Sequence, residues 1–223
     1  VDYDVTAVFS KTEVGEDSNV RVTVTLKDTQ KARNYTLNTS EITATGTIVP
    51  KLIPVLDGDL TLSANEITYG EKPGKIKISG AMKDPVTGAK VEGTFAWQKP
   101  DEVPDAGAYN ASWTFTPAAG YGKYADTAGT VTVKVNKADI LEGIDYTVPT
   151  AATSKLEYNG NEQELITAGT ATVGKMQYKL GESGAWSEKI PTAANAGSYD
   201  VYYRVFGGNN YNTTEEQKIT SQI

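Results

Sequence analysis

The chain has 223 residues and a formal charge of −7, and it contains neither histidine nor cysteine. Without those two residues there are no disulfides, no thiolate or imidazole nucleophiles and bases, and no metals held by such ligands; serine–histidine triads, cysteine proteases and zinc hydrolases are excluded for these residues. The negative charge makes nucleic acid and anionic membrane surfaces poor partners, and no window approaches the roughly 18 consecutive apolar residues of a spanning helix. With 21 Gly, 13 Tyr and abundant Thr and Val, the composition favours strands and turns.

In chain order, residues 1–50 hold the strand-like runs Tyr3-Asp-Val-Thr-Ala-Val-Phe9, Val20-Arg-Val-Thr-Val-Thr-Leu26 and Ile42-Thr-Ala-Thr-Gly-Thr-Ile48. In the middle run Val20, Val22, Val24 and Leu26 alternate with polar residues, the pattern of a half-buried strand. A turn is expected at Gly15-Glu-Asp-Ser-Asn19. So short a segment can hardly bury a stable core alone, and it reads as the C-terminal part of a truncated β repeat. Its apolar faces need a partner layer. Two are open to it: the second unit, through the apolar residues 52–56, or self-association with the same segment of another molecule, which is favoured because stripped edge strands template pairing. The stretch Ile48-Val-Pro-Lys-Leu-Ile-Pro-Val-Leu56 reads as a linker, and a start at Val1 without signal or anchor reads as excision from a longer protein.

A second unit is expected over residues 51–138, with strands near 60–62, 67–69, 75–79, 94–98, 108–116 and 130–135. Pro85-Val-Thr-Gly88 reads as a turn. A third unit, residues 139–223, has the same plan, with strands near 156–158, 164–166, 176–180, 199–205 and 218–223. Asn159-Gly160 is a two-residue hairpin signal. The units are tied together by a phrase written twice. Asp105-Ala-Gly-Ala-Tyr109 returns 90 positions later as Asn195-Ala-Gly-Ser-Tyr199. Tyr109, Ala111, Trp113 and Phe115 then face one way, as do Tyr199, Val201, Tyr203 and Val205. Asn34-Tyr35, Lys123-Tyr124 and Asn210-Tyr211 each precede a final strand. Recurrence at this period indicates a small β-domain used in tandem.

The Asp105–Tyr109 and Asn195–Tyr199 phrases resemble the start of strand F in immunoglobulin-type sandwiches, where a tyrosine hydroxyl ties back to the corner backbone. The core position that follows is Ala111 or Val201 rather than Cys, and Trp97 lies too close to the motif for the usual immunoglobulin order. More specifically, Glu66-Ile-Thr-Tyr-Gly70, Gly93-Thr-Phe-Ala-Trp97 and Val103-Pro-Asp-Ala-Gly-Ala-Tyr109, with Leu156-Glu-Tyr-Asn-Gly160 and Met176-Gln-Tyr178, resemble the YDG and MBG repeat families of large bacterial surface proteins. That resemblance implies an exported, cell-surface, multi-repeat protein and supplies no catalytic residues.

The expectation is therefore an all-β chain of tandem immunoglobulin-like sandwiches with an incomplete N-terminal repeat. It would serve as a non-enzymatic stalk or adhesion module on a bacterial surface or cell wall, touching if anything a host or matrix glycan or protein. A carbohydrate-binding accessory module of a secreted glycoside hydrolase is the alternative. Tyr121, Tyr124, Trp186 and Tyr202 are candidates for a sugar-stacking platform, against the reading that Tyr and Trp cap sandwich cores. Asp57, Asp59, Asp139, Glu142 and Asp145 near the junctions match no calcium-loop spacing and read as solvated linker charge. No catalytic residue, cofactor site or metal site is expected.

Overall fold

The computed structural model describes residues 2–15, 17–152 and 156–223. Among them the chain is all-β, with two 3-10 turns at Ala32–Asn34 and Pro73–Lys75. Period-two alternation decides the longer strands, because it sets one apolar row against a neighbouring layer.

β1 (Tyr3–Phe9), β2 (Asp17–Leu26) and β3 (Glu41–Thr47) form an antiparallel sheet in that order. The turn expected before β2 includes Glu16, which lies outside the described residues. Register sets Phe9 beside Val20 and Val20 beside Ala44, and likewise Ala7, Val22 and Ile42. One face therefore carries an apolar row, with Ser18 bonded to Lys11 at its end, while the other carries the pairs Lys27–Asp4 and Arg21–Glu41. Among the described residues no further layer covers the apolar face: Tyr3, Val5, Phe9 and Ile42 are each more than half exposed.

The chain continues through β4 (Val55–Leu56), β5 (Thr61–Leu62), β6 (Glu66–Thr68), β7 (Ile78–Ser79), β8 (Met82–Lys83) and β9 (Lys90–Val91). Three longer strands follow: β10 (Gly93–Trp97), β11 (Gly107–Pro117) and β12 (Thr127–Asn136). They form a sheet in the order β10-β11-β12-β6, with β6 parallel to β12. The short three-stranded sheet β4-β8-β9 and the pair β5-β7 lie against it. Met82 and Val91 pack on Trp113, Phe115 and Tyr124, and Ile76 packs with Ile67, Ala111, Val133 and Val135. The stretch expected to be linker is instead part of this layer: Leu52 bridges to Tyr124, Pro54 is fully buried and Val55–Leu56 is β4. Of the strand expected at 75–79, only Ile78–Ser79 forms, because the preceding residues are taken up by the 3-10 turn.

The last part begins with β13 (Tyr146–Thr147), β14 (Thr150–Ala151), β15 (Gln163–Glu164), β16 (Ile166–Thr167) and β17 (Thr170–Ala171). Then come β18 (Lys175–Leu180), β19 (Thr192–Ala193), β20 (Ser198–Phe206) and β21 (Gln217–Gln222). β18-β20-β21 form one sheet, and the two-residue strands pair as β13-β17, β14-β16 and β15-β19. Leu165, Ile166, Tyr178, Val201 and Tyr203 make the buried centre. The strand expected at 156–158 is absent. Asn159-Gly160 makes a local turn, with Asn161 N–H donating to Asn159 Oδ1, instead of joining two paired strands. The neighbouring strands find partners elsewhere in the chain, β14 on β16 and β15 on β19.

Three antiparallel strands in a row thus occur three times among the described residues, with β2, β11 and β20 at the centre of each. The alternation read for the last two holds. Ala111, Trp113 and Phe115 are buried, as are Val201, Tyr203 and Val205. Tyr199 Oη donates to the Asn195 carbonyl at 2.7 Å, the corner expected from sequence. Tyr109 Oη turns instead to the Glu102 carboxylate at 2.6 Å. Burial first, and then this carboxylate, push its pKa up to about 12.

Candidate functional site

The four aromatic candidates fall into two pairs on different sheets. Tyr121 and Tyr124 sit in the turn between β11 and β12 with ring centroids 6.2 Å apart. Tyr124 is not a surface platform: it is buried, because its backbone bridges to Leu52 and its ring fills the core beside Trp113 and Phe115. Its hydroxyl donates to the buried Asp84 carboxylate at 2.7 Å. Tyr121 is half-buried against the same cluster. Above them Lys123 has its ammonium 3.1 Å from Asp84 and 4.8 Å from the Tyr124 ring centre. Gly122 and Lys123, with Val49, Pro50, Lys51 and Leu52, line a groove of about 500 Å³.

Trp186 and Tyr202 share the outward face of the β18–β20 pair. Register brings Lys179 opposite Tyr202 and Gln177 opposite Arg204. Trp186 returns over that face from the turn at Gly181–Gly184, where Ser187 pairs with Tyr178. The Lys179 ammonium lies 4.9 Å from the centre of each ring, donates to the Glu182 carbonyl and pairs with Glu216 at 3.0 Å. The Arg204 guanidinium stands 4.2 Å from the Trp186 ring centre and donates twice to Gln177 Oε1. Tyr202 Oη points to Glu182, and burial followed by that carboxylate raises its pKa. Next to it Asp200 takes the Thr220 hydroxyl and the Lys218 ammonium, and both hold its carboxyl below the ordinary range.

This face is a ladder of cations layered on rings. Each such contact is worth roughly 0.5–2 kcal/mol, so a sugar ring stacking on Trp186 competes with Lys179 and Arg204 for its π-surface. The sequence placed Tyr202 and Arg204 on the outward phase. It did not show that Lys179 and Gln177 oppose them, because register between strands some 25 residues apart carries no local signal.

The best-knit polar cluster joins residues 51–138 to residues 139–223, and none of its members was among the candidates. Ala138 N–H donates to the Asn210 carbonyl and Asn212 N–H to the Ala138 carbonyl, a two-bond parallel bridge. Asn210 Oδ1 accepts the Ala106 N–H at 2.9 Å, while its Nδ2 donates to Asp105. Lys137 Nζ donates to the Gly208 carbonyl at 2.7 Å, and Tyr69 meets Tyr211 edge-on at 5.3 Å. The junction carboxylates are engaged in other ways: Asp57 with Lys83, Asp139 with Asn212, and Asp145 with the Leu141 N–H. Among the described residues, no three acidic side chains converge as a metal cage.

Comparison with protein-family models, with curated proteins and with solved structures gives no match.

Proposed function

We propose that the chain is a non-enzymatic repeat module in which tandem immunoglobulin-like sandwiches, the first incomplete, act as a stalk or adhesion segment of a bacterial cell-surface protein. The observation that carries this reading is a recurring parallel bridge, at Leu52 near the start of the second unit and at Ala138 where the second unit meets the third. Leu52 exchanges two bonds with Lys123 and Ala125, and Ala138 exchanges two with Asn210 and Asn212. In both cases the segment that enters a unit is strapped alongside the approach to that unit's last long strand. Tension between the two ends loads both bonds of a strap together, in shear, instead of opening them one by one. At the second junction the strap is reinforced by Asn210, Lys137 and the Tyr69–Tyr211 contact. The resemblance of the Asp105–Tyr109 and Asn195–Tyr199 phrases to bacterial surface repeats supports the same reading.

Stretching single molecules tests it. A load-bearing module gives two separate unfolding events, each lengthening the chain by roughly 25–30 nm. The carbohydrate-binding alternative is favoured only by Trp186 and Tyr202 sharing one face. Retention on a glycan that Trp186→Ala abolishes, with the fold intact, would put that reading in its place.

A further inference from the structure

The apolar face of the β1–β3 sheet is the one large hydrophobic surface that the described chain leaves bare. Tyr3, Val5, Phe9 and Ile42 are 52–57% exposed there, whereas the corresponding faces of β11 and β20 are buried under short strands. The bare patch spans three strands of about seven residues, roughly 14 by 23 Å. Exposed patches of this size mark interaction surfaces.

We propose that this face pairs with the same face of a second copy of the chain, closing a sandwich across a two-fold axis that runs along β2. The shape of the face argues for that occupant. Phe9 of β1 is level with Ala44 of β3, and Ala7 of β1 is level with Ile42 of β3. Rotation about an axis parallel to β2 lays β1 of one copy over β3 of the other. Phe9 then meets Ala44 and Ala7 meets Ile42, large on small at both contacts, while β2 packs on β2. The four charged side chains paired on the sheet, Asp4, Arg21, Lys27 and Glu41, lie on the opposite face and keep their water, while Lys11 stands at the rim beside Phe9. Two such faces of roughly 320 Å² each bury about 650 Å² of flat area, and somewhat more with side-chain relief, at the small end for specific association. So small an interface fits a weak, reversible dimer, with an expected Kd of about 1–100 μM. The inference stands apart from the spacer reading, which concerns the other two units.

Sedimentation of the full chain over a dilution series tests it. The expected result is a mass rising from 23.9 kDa to twice that value with concentration. Phe9→Lys should weaken association by about tenfold or more, while Val8→Lys, the same charge one residue along on the opposite face, leaves it unchanged. Amide exchange across β1–β3 reports whether each variant keeps the sheet. The swap gives a second reading: Phe9→Ala and Ala44→Phe each weaken the dimer, and the two together restore it. A wild-type chain that stays monomeric to about 500 μM overturns the proposal and leaves the face to an additional layer of polypeptide or to a different protein. A dimer indifferent to Phe9→Lys, or a swap that fails to restore association, overturns it as well.

Discussion

The Asp84 carboxylate is buried and accepts the N–H groups of Val86 and Thr87, the Tyr124 hydroxyl and the Lys123 ammonium. The Thr87 N–H acts most strongly on it, then the Tyr124 hydroxyl and the Val86 N–H. Together they outweigh burial and hold the carboxyl far below the ordinary range. A depressed folded-state pKa means that the unfolded chain binds the proton more readily. The stabilisation is therefore complete above the unfolded value of about 3.9 and is lost as pH falls below it. Wild-type melting temperature should hold down to about pH 5 and then drop. Asp84→Asn should melt several degrees lower at neutral pH, with a flatter decline in acid, because one of the protons that drives the decline is gone. Equal acid slopes in calorimetry would show that Asp84 is not the linked group. Half of this site was legible in advance. Pro85–Gly88 was read as a turn, and an Asp two residues before a bonded N–H belongs to that chemistry. Tyr124, 40 positions away, was not, and a turn position made it pass for a surface aromatic.

β11 and β20 were read nearly to the residue because nine or more positions of strict alternation leave little choice of face. The strands opposite them were largely missed. A two-residue strand such as β8 or β17 carries no period, and what makes it a strand is a partner reached through the fold. The close packing over β11 also fixes a glycine. Gly129 pairs with Trp113, and a Cβ placed on it would run into the indole ring. Gly46, on the corresponding closing strand of the first sheet, has open space where its Cβ would go. Gly129→Ala should therefore cost about 1–3 kcal/mol through overpacking, and Gly46→Ala should cost nothing measurable. Urea unfolding followed by tryptophan fluorescence reads the first directly, since Trp97 and Trp113 both lie in that unit. Loss of stability in Gly46→Ala equal to that in Gly129→Ala would mean that the first sheet is as tightly covered as the second.

For the whole molecule, the sequence repeat located the three Tyr positions that precede a closing strand but not what the residue ahead of each one bonds to. Ahead of Tyr211 is Asn210, whose amide reaches back to Asp105 and Ala106 in the preceding unit. Ahead of Tyr124 is Lys123, whose ammonium turns inward to Asp84 of its own unit. The amide that ties the second junction thus has no counterpart at the first, where Val49 is 72% exposed. From this difference of one side chain the two junctions should differ in stiffness. The absence of cysteine lets spin labels be placed without background. Labels at Val14→Cys and Val86→Cys span the first junction, and labels at Val86→Cys and Ser183→Cys span the second. All three sites are exposed. Measured in dilute solution with Phe9→Lys present to keep the chain monomeric, the second pair should give a narrow distance distribution and the first a broad one. Asn210→Ala removes both side-chain bonds but leaves the Ala138 main-chain strap. It should widen the second distribution towards the first without lowering the melting temperature of either unit, because the lost bonds join units and do not lie within one. Equal widths across both junctions in the otherwise unaltered chain, or no widening in Asn210→Ala, would mean that the backbone strap alone sets the angle.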